Sequence, residues 1–239
     1  MLYRYEMHCH SSDCSGCART PAKDMVHKYK ESGYAGLVLT DHFIFGNSAV
    51  DKTLPWEERM QCYYDAYLAA KEEGDKIDFD VIFGIEHAYD SGKEMLCYGI
   101  DLKFLTDNPD IPEITIDEFA RRLHKAGGIL IQAHPCRERS YIDPNVEPRV
   151  DLIDGIEVYN AGNKPHENAK AIALSKEHGG IIISGSDYHG WPGEPTNRAG
   201  IALPYRVKTS EELIAALKRG DHRFVVKNEV VEEITEDLF

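Results

Sequence analysis

The stretch AGLVLTDH, residues 35–42, decides the fold. Leu37, Val38 and Leu39 are consecutive apolar residues, so a strand here is apolar on both faces, as a parallel strand covered by helices must be. The run then stops on Asp41 and His42, two side chains with chemistry to offer. The same form recurs outward from it. Short apolar runs at 2–8, 79–86, 94–100, 128–134, 154–160, 180–187 and 199–203 alternate with helical patterns at about 21–32, 56–73, 116–126, 165–178 and 209–219. This repeated βα order predicts an α/β protein, either a parallel barrel or an open doubly wound sheet. Thr20 before Pro21 reads as the cap of the first helix, and Thr209 or Ser210 with Gly220 brackets the last. The loops 43–56 and 137–149 sit beside strand ends, where long loops form lids or substrate walls. Residues 227–239 read as an acidic peripheral tail on a single domain spanning 1–239, with the motifs confined to about 5–226.

Composition narrows the function classes. A chain of 239 residues fits one domain with a large core. Its formal net charge of -14 argues against binding of duplex nucleic acid, which needs a basic footprint. A phosphate-bearing substrate must then be held by a local cationic site. MLYRYEMHCH lacks a basic segment followed by an apolar run, and no segment reaches membrane-spanning length, so neither a signal peptide nor a membrane span is predicted. The expectation is a cytoplasmic protein with its six cysteines (9, 14, 17, 62, 97 and 136) reduced. Cys14 and Cys17 form a C-x-x-C, a weak redox motif without further context.

The polar residues at the strand ends are more telling. The first run ends in His8 and His10, which project from one face because they lie two apart. Others end in Asp41-His42, Glu86-His87, His134, and Asp187 with His189. In parallel α/β barrels the C-terminal strand ends meet at one mouth, so these groups would converge there. Imidazoles and carboxylates form a ligand set for Zn²⁺, Mn²⁺ or Fe²⁺. His87 should point away from Glu86, and His27, His124, His166, His178 and His222 fall in helical or peripheral contexts.

HCH at 8–10, TDH at 40–42, GIE at 84–86, AHP at 133–135 and SDYH at 186–189 together resemble the successive motifs of the polymerase and histidinol phosphatase (PHP) domain. The resemblance implies a distorted (β/α)7 TIM-like barrel with two or three divalent ions at its mouth, in a family that mostly hydrolyses phosphate mono- or diesters. Carried over by position, it implies His8, His10, Glu86 and Asp187 on one ion, Glu86 and His134 on a second, and His42 and His189 on a third, with Asp41 supporting an imidazole. Two positions depart from the family pattern. Ser15, a poor ligand, stands where many relatives have Asp or His, so Asp13, Cys14 or Cys17 is a candidate to reach in. Glu94 stands in place of a family histidine and can itself bind a divalent ion.

Such a cluster generates a metal-bridging hydroxide for in-line attack on phosphorus, with Asp187 and His189 as catalytic groups and His189 able to protonate the leaving alkoxide. Arg137, then Arg198 and Arg19, are the candidate substrate-binding cations for a small phosphorylated substrate, and phosphate is a further expected occupant. Asn160 and Asn163 could bond the leaving group. Competing readings are a metal-dependent amidohydrolase-type enzyme, a degenerate PHP module binding metal or nucleotide for regulation, and a redox role for Cys14 and Cys17.

Overall fold

A computed structural model describes residues 1–196 and 198–239. The elements are β1 (Tyr3–Cys9), α1 (Ala22–Glu31), β2 (Gly36–Leu39), α2 (Trp56–Lys76), β3 (Asp80–Tyr89), β4 (Lys93–Tyr98), α3 (Leu102–Asp107) and α4 (Ile116–Lys125). They continue as β5 (Ile129–Gln132), β6 (Gly155–Asn160), α5 (Pro165–His178), β7 (Ile181–Gly185), β8 (Ala199–Leu203), α6 (Ser210–Arg219), β9 (Arg223–Val226) and β10 (Glu229–Val231). One sheet runs in the order β10-β9-β8-β1-β2-β3-β4-β5-β6-β7. It curls until the segment after β7 meets β1: Asp187 N donates to His8 O and His10 N to Tyr188 O, both at 2.8 Å. The result is the expected distorted barrel.

The core forms two layers because inward and outward side chains alternate along each strand. Val38, Ile82, Leu96, Ile131 and Ile183 join Leu213 and Leu217 of α6 in an inner cluster, so α6 plugs the end opposite the mouth. Leu37, Leu39, Val81, Phe83, Cys97 and Leu130 face outward against the helices.

The expected parallel order fails at β8, which runs antiparallel to β1 and β9, and again at β4. β4 pairs antiparallel with both β3 and β5. Its turn from β3 is Asp90-Ser91-Gly92, all at positive φ, and a connection that short cannot cross over to a parallel neighbour. The reversal matters, because the mouth lies at the start of β4 rather than its end. Glu94 pairs across from Ala88 and therefore stands beside the ends of the parallel strands.

β1 carries a second irregularity. Its register against β2 shifts between Glu6 and Cys9, and the buried Glu6 carboxylate accepts from Met7 N at 3.0 Å and His8 N at 2.9 Å. Such a bulge re-aims a side chain: Met7 packs in the inner core while the next residue, His8, joins the mouth.

Local signals held at α6, where Thr209 accepts from Glu212 N and Gly220 takes the left-handed conformation. At α1 the cap differs from expectation. Asp13 Oδ2 accepts from Ala22 N at 2.7 Å, so the cap comes from nine residues upstream rather than from Thr20. The terminal segment is built into the sheet. β10 pairs with β9, and the Phe239 ring stacks on Tyr159 at 5.6 Å.

Candidate metal centre

Six strands and the segments following them deliver eight side chains to one point. His8 and His10 leave β1, His42 follows β2, Glu86 lies on β3, Glu94 on β4, His134 follows β5, and Asp187 and His189 follow β7. Glu86 is fully buried at the centre. Its Oε1 lies 3.1 Å from both His8 Nε2 and His134 Nε2, and its Oε2 lies 2.8 Å from His42 Nδ1 and 3.5 Å from His10 Nε2. Asp187 Oδ1 is 3.1 Å from His10 Nε2 and 3.4 Å from His8 Nε2, and Glu94 stands 3.5 Å from His42 and His134. Four overlapping groups have ligand atoms close enough for one ion: His10/His42/His189, His8/His10/Asp187, His8/Glu86/His134 and His42/Glu86/Glu94.

The donor set fits cations. His8 Nε2 and His10 Nε2 face each other at 3.1 Å, two ring nitrogens aimed at one spot. His42 Nδ1 and Glu86 Oε2 are buried and lack a hydrogen-bonding partner despite their proximity, an arrangement that a cation between them satisfies. Burial pushes Glu94 up to about 8, and the charge on Glu86 adds to this, while the surrounding imidazoles hold Glu86 well below the usual range against its own burial. Two carboxylates this close ionise together only when positive charge is supplied. Burial and the neighbouring His42 and His189 keep His10 well below its ordinary value, and burial and Arg137 lower His134, which favours the neutral rings that ligation requires.

Several supporting residues carry no motif in the sequence. Glu157, fully buried on β6, accepts from His8 Nδ1 at 2.9 Å, from His134 N at 2.9 Å and from Asn160 Nδ2 at 2.9 Å. Its only sequence signal is a lone carboxylate inside an apolar run, GIEVYN. A Cβ on Gly185 would lie 2.2 Å from Glu157 Oε1, so only glycine leaves room for that carboxylate beside His8. Asp41 reaches no imidazole directly. It accepts from Ser11 N, Ser11 Oγ and Ser15 Oγ at 2.6–2.7 Å, and Ser15 Oγ in turn lies 3.4 Å from His10 Nδ1 and accepts from His42 N. Ser15 is thus a buried spacer between Asp41 and two metal-site histidines.

The other candidates separate clearly. Cys14 lies in the outer core with its thiol on the Cys62 carbonyl, and Asp13 is occupied as a helix cap. Cys17 lines the cavity beside His42 and His189. Burial alone would raise its thiol, but hydrogen bonds with His189 and His42 outweigh this and bring it to about 6. The Cys14/Cys17 pair therefore faces two different surroundings, and both thiols are free. Arg137 lines the cavity, bonded to Asp187 Oδ2 at 2.7 Å and braced by Asn160 and Asn163 at 2.8 Å. Those two asparagines hold the arginine instead of facing a leaving group. Arg198 is turned away, its guanidinium on the Ala161 and Ser186 carbonyls and on Glu194. Arg19 stacks on Trp191 at 4.4 Å at the cavity rim. His87 points outward from Glu86 as expected, yet the same cavity reaches it.

Residues 6–184 match the family model of the PHP domain, and the chain belongs to that family. Its fold is shared by a two-domain protein from Bacteroides vulgatus that contains a predicted PHP-like metal-dependent phosphoesterase, with TM-score 0.70 and 16% identity over 100% of this chain and 68% of that one. A lesion-specific endonuclease from Pyrococcus furiosus gives 0.62 and 14% over 92% and 56%. An amidohydrolase from Chromobacterium violaceum with bound sulfate gives 0.54 and 16% over 88% and 95%. No curated protein matches the chain. Among the described residues no helix is long and apolar enough to cross a membrane.

Proposed function

We propose that the chain is a metal-dependent hydrolase of a small phosphate mono- or diester. The observation that carries this reading is the convergence of five imidazole groups and three carboxylates around Glu86, with the Arg137 guanidinium at the edge of the same cavity. His8, His10, Glu86 and Asp187 would hold one divalent ion, Glu86 and His134 a second with Glu94 beside them, and His42 and His189 a third. When bound, such ions supply a water nucleophile at neutral pH and offset charge on the phosphoryl oxygens.

The protein's own residues do the rest. Arg137, held rigid by Asn160, Asn163 and Asp187, brings positive charge and its remaining N–H groups to a phosphoryl oxygen, which a chain of this net charge does not otherwise attract. His189 Nδ1 is tied to the Asp187 carbonyl at 2.8 Å, which fixes the ring and leaves Nε2 as its ligand nitrogen, so the departing alkoxide would take its proton from water. Glu157 keeps His8 in one tautomer. The acidic balance of the chain favours a small ester over duplex nucleic acid as substrate.

The test pairs elemental mass spectrometry of protein purified without chelator with a phosphate-ester screen. Two or three transition ions per chain, and phosphate release lost in both His8→Ala and Asp187→Ala, are expected. Turnover that survives loss of those ligands overturns the reading, and one ion or none after reconstitution moves the regulatory binding module to the front.

A further inference from the structure

The cavity at the metal centre has a volume of about 1080 Å³. Clefts of roughly 300–1,000 Å³ hold whole drug-sized molecules, so a phosphoryl group fills only a corner of this one. Away from the ligand residues Phe45, His87, Ile114, Ile116, Tyr141 and Trp191 line it, with Asp90, Asp117 and Arg149 among its polar lining. Phe45, Tyr141 and Trp191 are 53%, 63% and 49% exposed, and these three of the six most exposed large apolar side chains among the described residues gather at this one opening. Arg19 covers one face of the Trp191 ring at 4.4 Å, bracing it at the rim.

His87 adds a polar contact to these walls. It is 4% exposed, stacked on Phe119 at 4.3 Å, with Phe43 and Phe45 both at 5.7 Å. Its Nδ1 is buried without a hydrogen-bond partner among the described residues. A buried polar atom left open among aromatic rings at the cavity implies a ligand group that completes it.

We propose that this cavity seats the leaving alcohol of the substrate, and that the alcohol bears a flat aromatic ring packed against Phe45, Tyr141 and Trp191, with His87 Nδ1 as its hydrogen-bonding contact. The inference rests on the phosphoesterase reading. The aromatic walls reward a planar π-surface by stacking, and a short aliphatic alcohol leaves most of them wet.

The test compares 2-phenylethyl phosphate with n-propyl phosphate on the metal-loaded protein, because their leaving alcohols have similar acidity and differ in the ring. The phenyl ester should show kcat/KM higher by about tenfold, carried mainly in KM. Phe45→Ala and Tyr141→Ala should each narrow that ratio by about threefold, whereas Leu68→Ala, exposed on α2, should leave it as it was. A ratio near one, or one that neither cavity variant changes, overturns the proposal. Calorimetry with 2-phenylethylphosphonate and propylphosphonate separates the two levels. If neither ester is hydrolysed, the phosphoesterase reading falls, and tighter binding of the phenyl compound supports the aromatic seat while equal affinities overturn it.

Discussion

Glu157 touches no predicted ion, yet it fixes His8 from behind and holds the main chain of His134. Carboxylates in this position commonly change metal affinity by about 10–100-fold when replaced. Glu157→Gln preserves shape and removes the charge, so chelator-competition titration should show a loss of that size with the melting curve little moved. Unchanged affinity would reduce Glu157 to packing. Ser15 makes the complementary case. Its hydroxyl donates to Asp41 and accepts from His42 N inside the protein, so Ser15→Ala strands buried partners at about 1–3 kcal/mol. Denaturant unfolding should register that loss while the number of bound ions stays the same; a lost ion would make Ser15 a ligand after all. Neither role is visible in the sequence, where Glu157 is one charge in an apolar run and Ser15 is one of several serines. The histidines were legible because two-residue spacing and strand-end position each constrain where a side chain points.

At the scale of elements, apolar runs and helical periodicity located eight strands and five helices, while strand direction escaped. A period of two carries no polarity; only the three-residue connection 90–92 reveals that β4 turns back. β9 and β10 escaped for being short, although RFVV-KN-EVV holds a two-residue turn with Lys227 and Asn228 at positive φ, the geometry of a tight hairpin. This hairpin is tied to β7 by His222, whose Nε2 bonds the Ile182 carbonyl at 2.7 Å, and by Ser184 Oγ on the Val225 carbonyl. Burial holds His222 below its ordinary value near 6.5 against the pull of Ile182 and Asp221. The unfolded ring thus takes up a proton at higher pH than the folded one, so its contribution is complete above that ordinary value and declines as pH falls below it. His222→Gln should lose less melting temperature than the parent between about pH 7 and 5. Equal losses would clear His222 of that role.

For the whole molecule, the metal centre and the barrel closure are the same place. The hydrogen bonds that join β1 to the segment after β7 run from His8 O and His10 N, flanking the two histidines of the H-x-H. Ions held there would link the two edges of the barrel and favour the native state by mass action, about 2.7 kcal/mol when free metal is 100 times its dissociation constant. For a chain of this length that corresponds to on the order of 5–10 °C. Chelation should lower the melting temperature by that much and make it depend on metal concentration; a melt indifferent to metal would mean that the centre contributes nothing to closure.

The reversal of β4 makes the metal centre sensitive to chain length as well as to side-chain identity. Because Glu94 lies two residues beyond the 90–92 turn, its direction is set by a count of residues. One residue added in that turn rotates the strand by half its period, carrying Glu94 to the helix side and bringing Lys93 or Met95 to face Glu86. A single inserted codon there acts as a point mutation of a ligand, and ion content per chain would drop. The same insertion in the 137–149 loop leaves every ligand in place, so the two lineages of length variants would diverge in chemistry while keeping one fold.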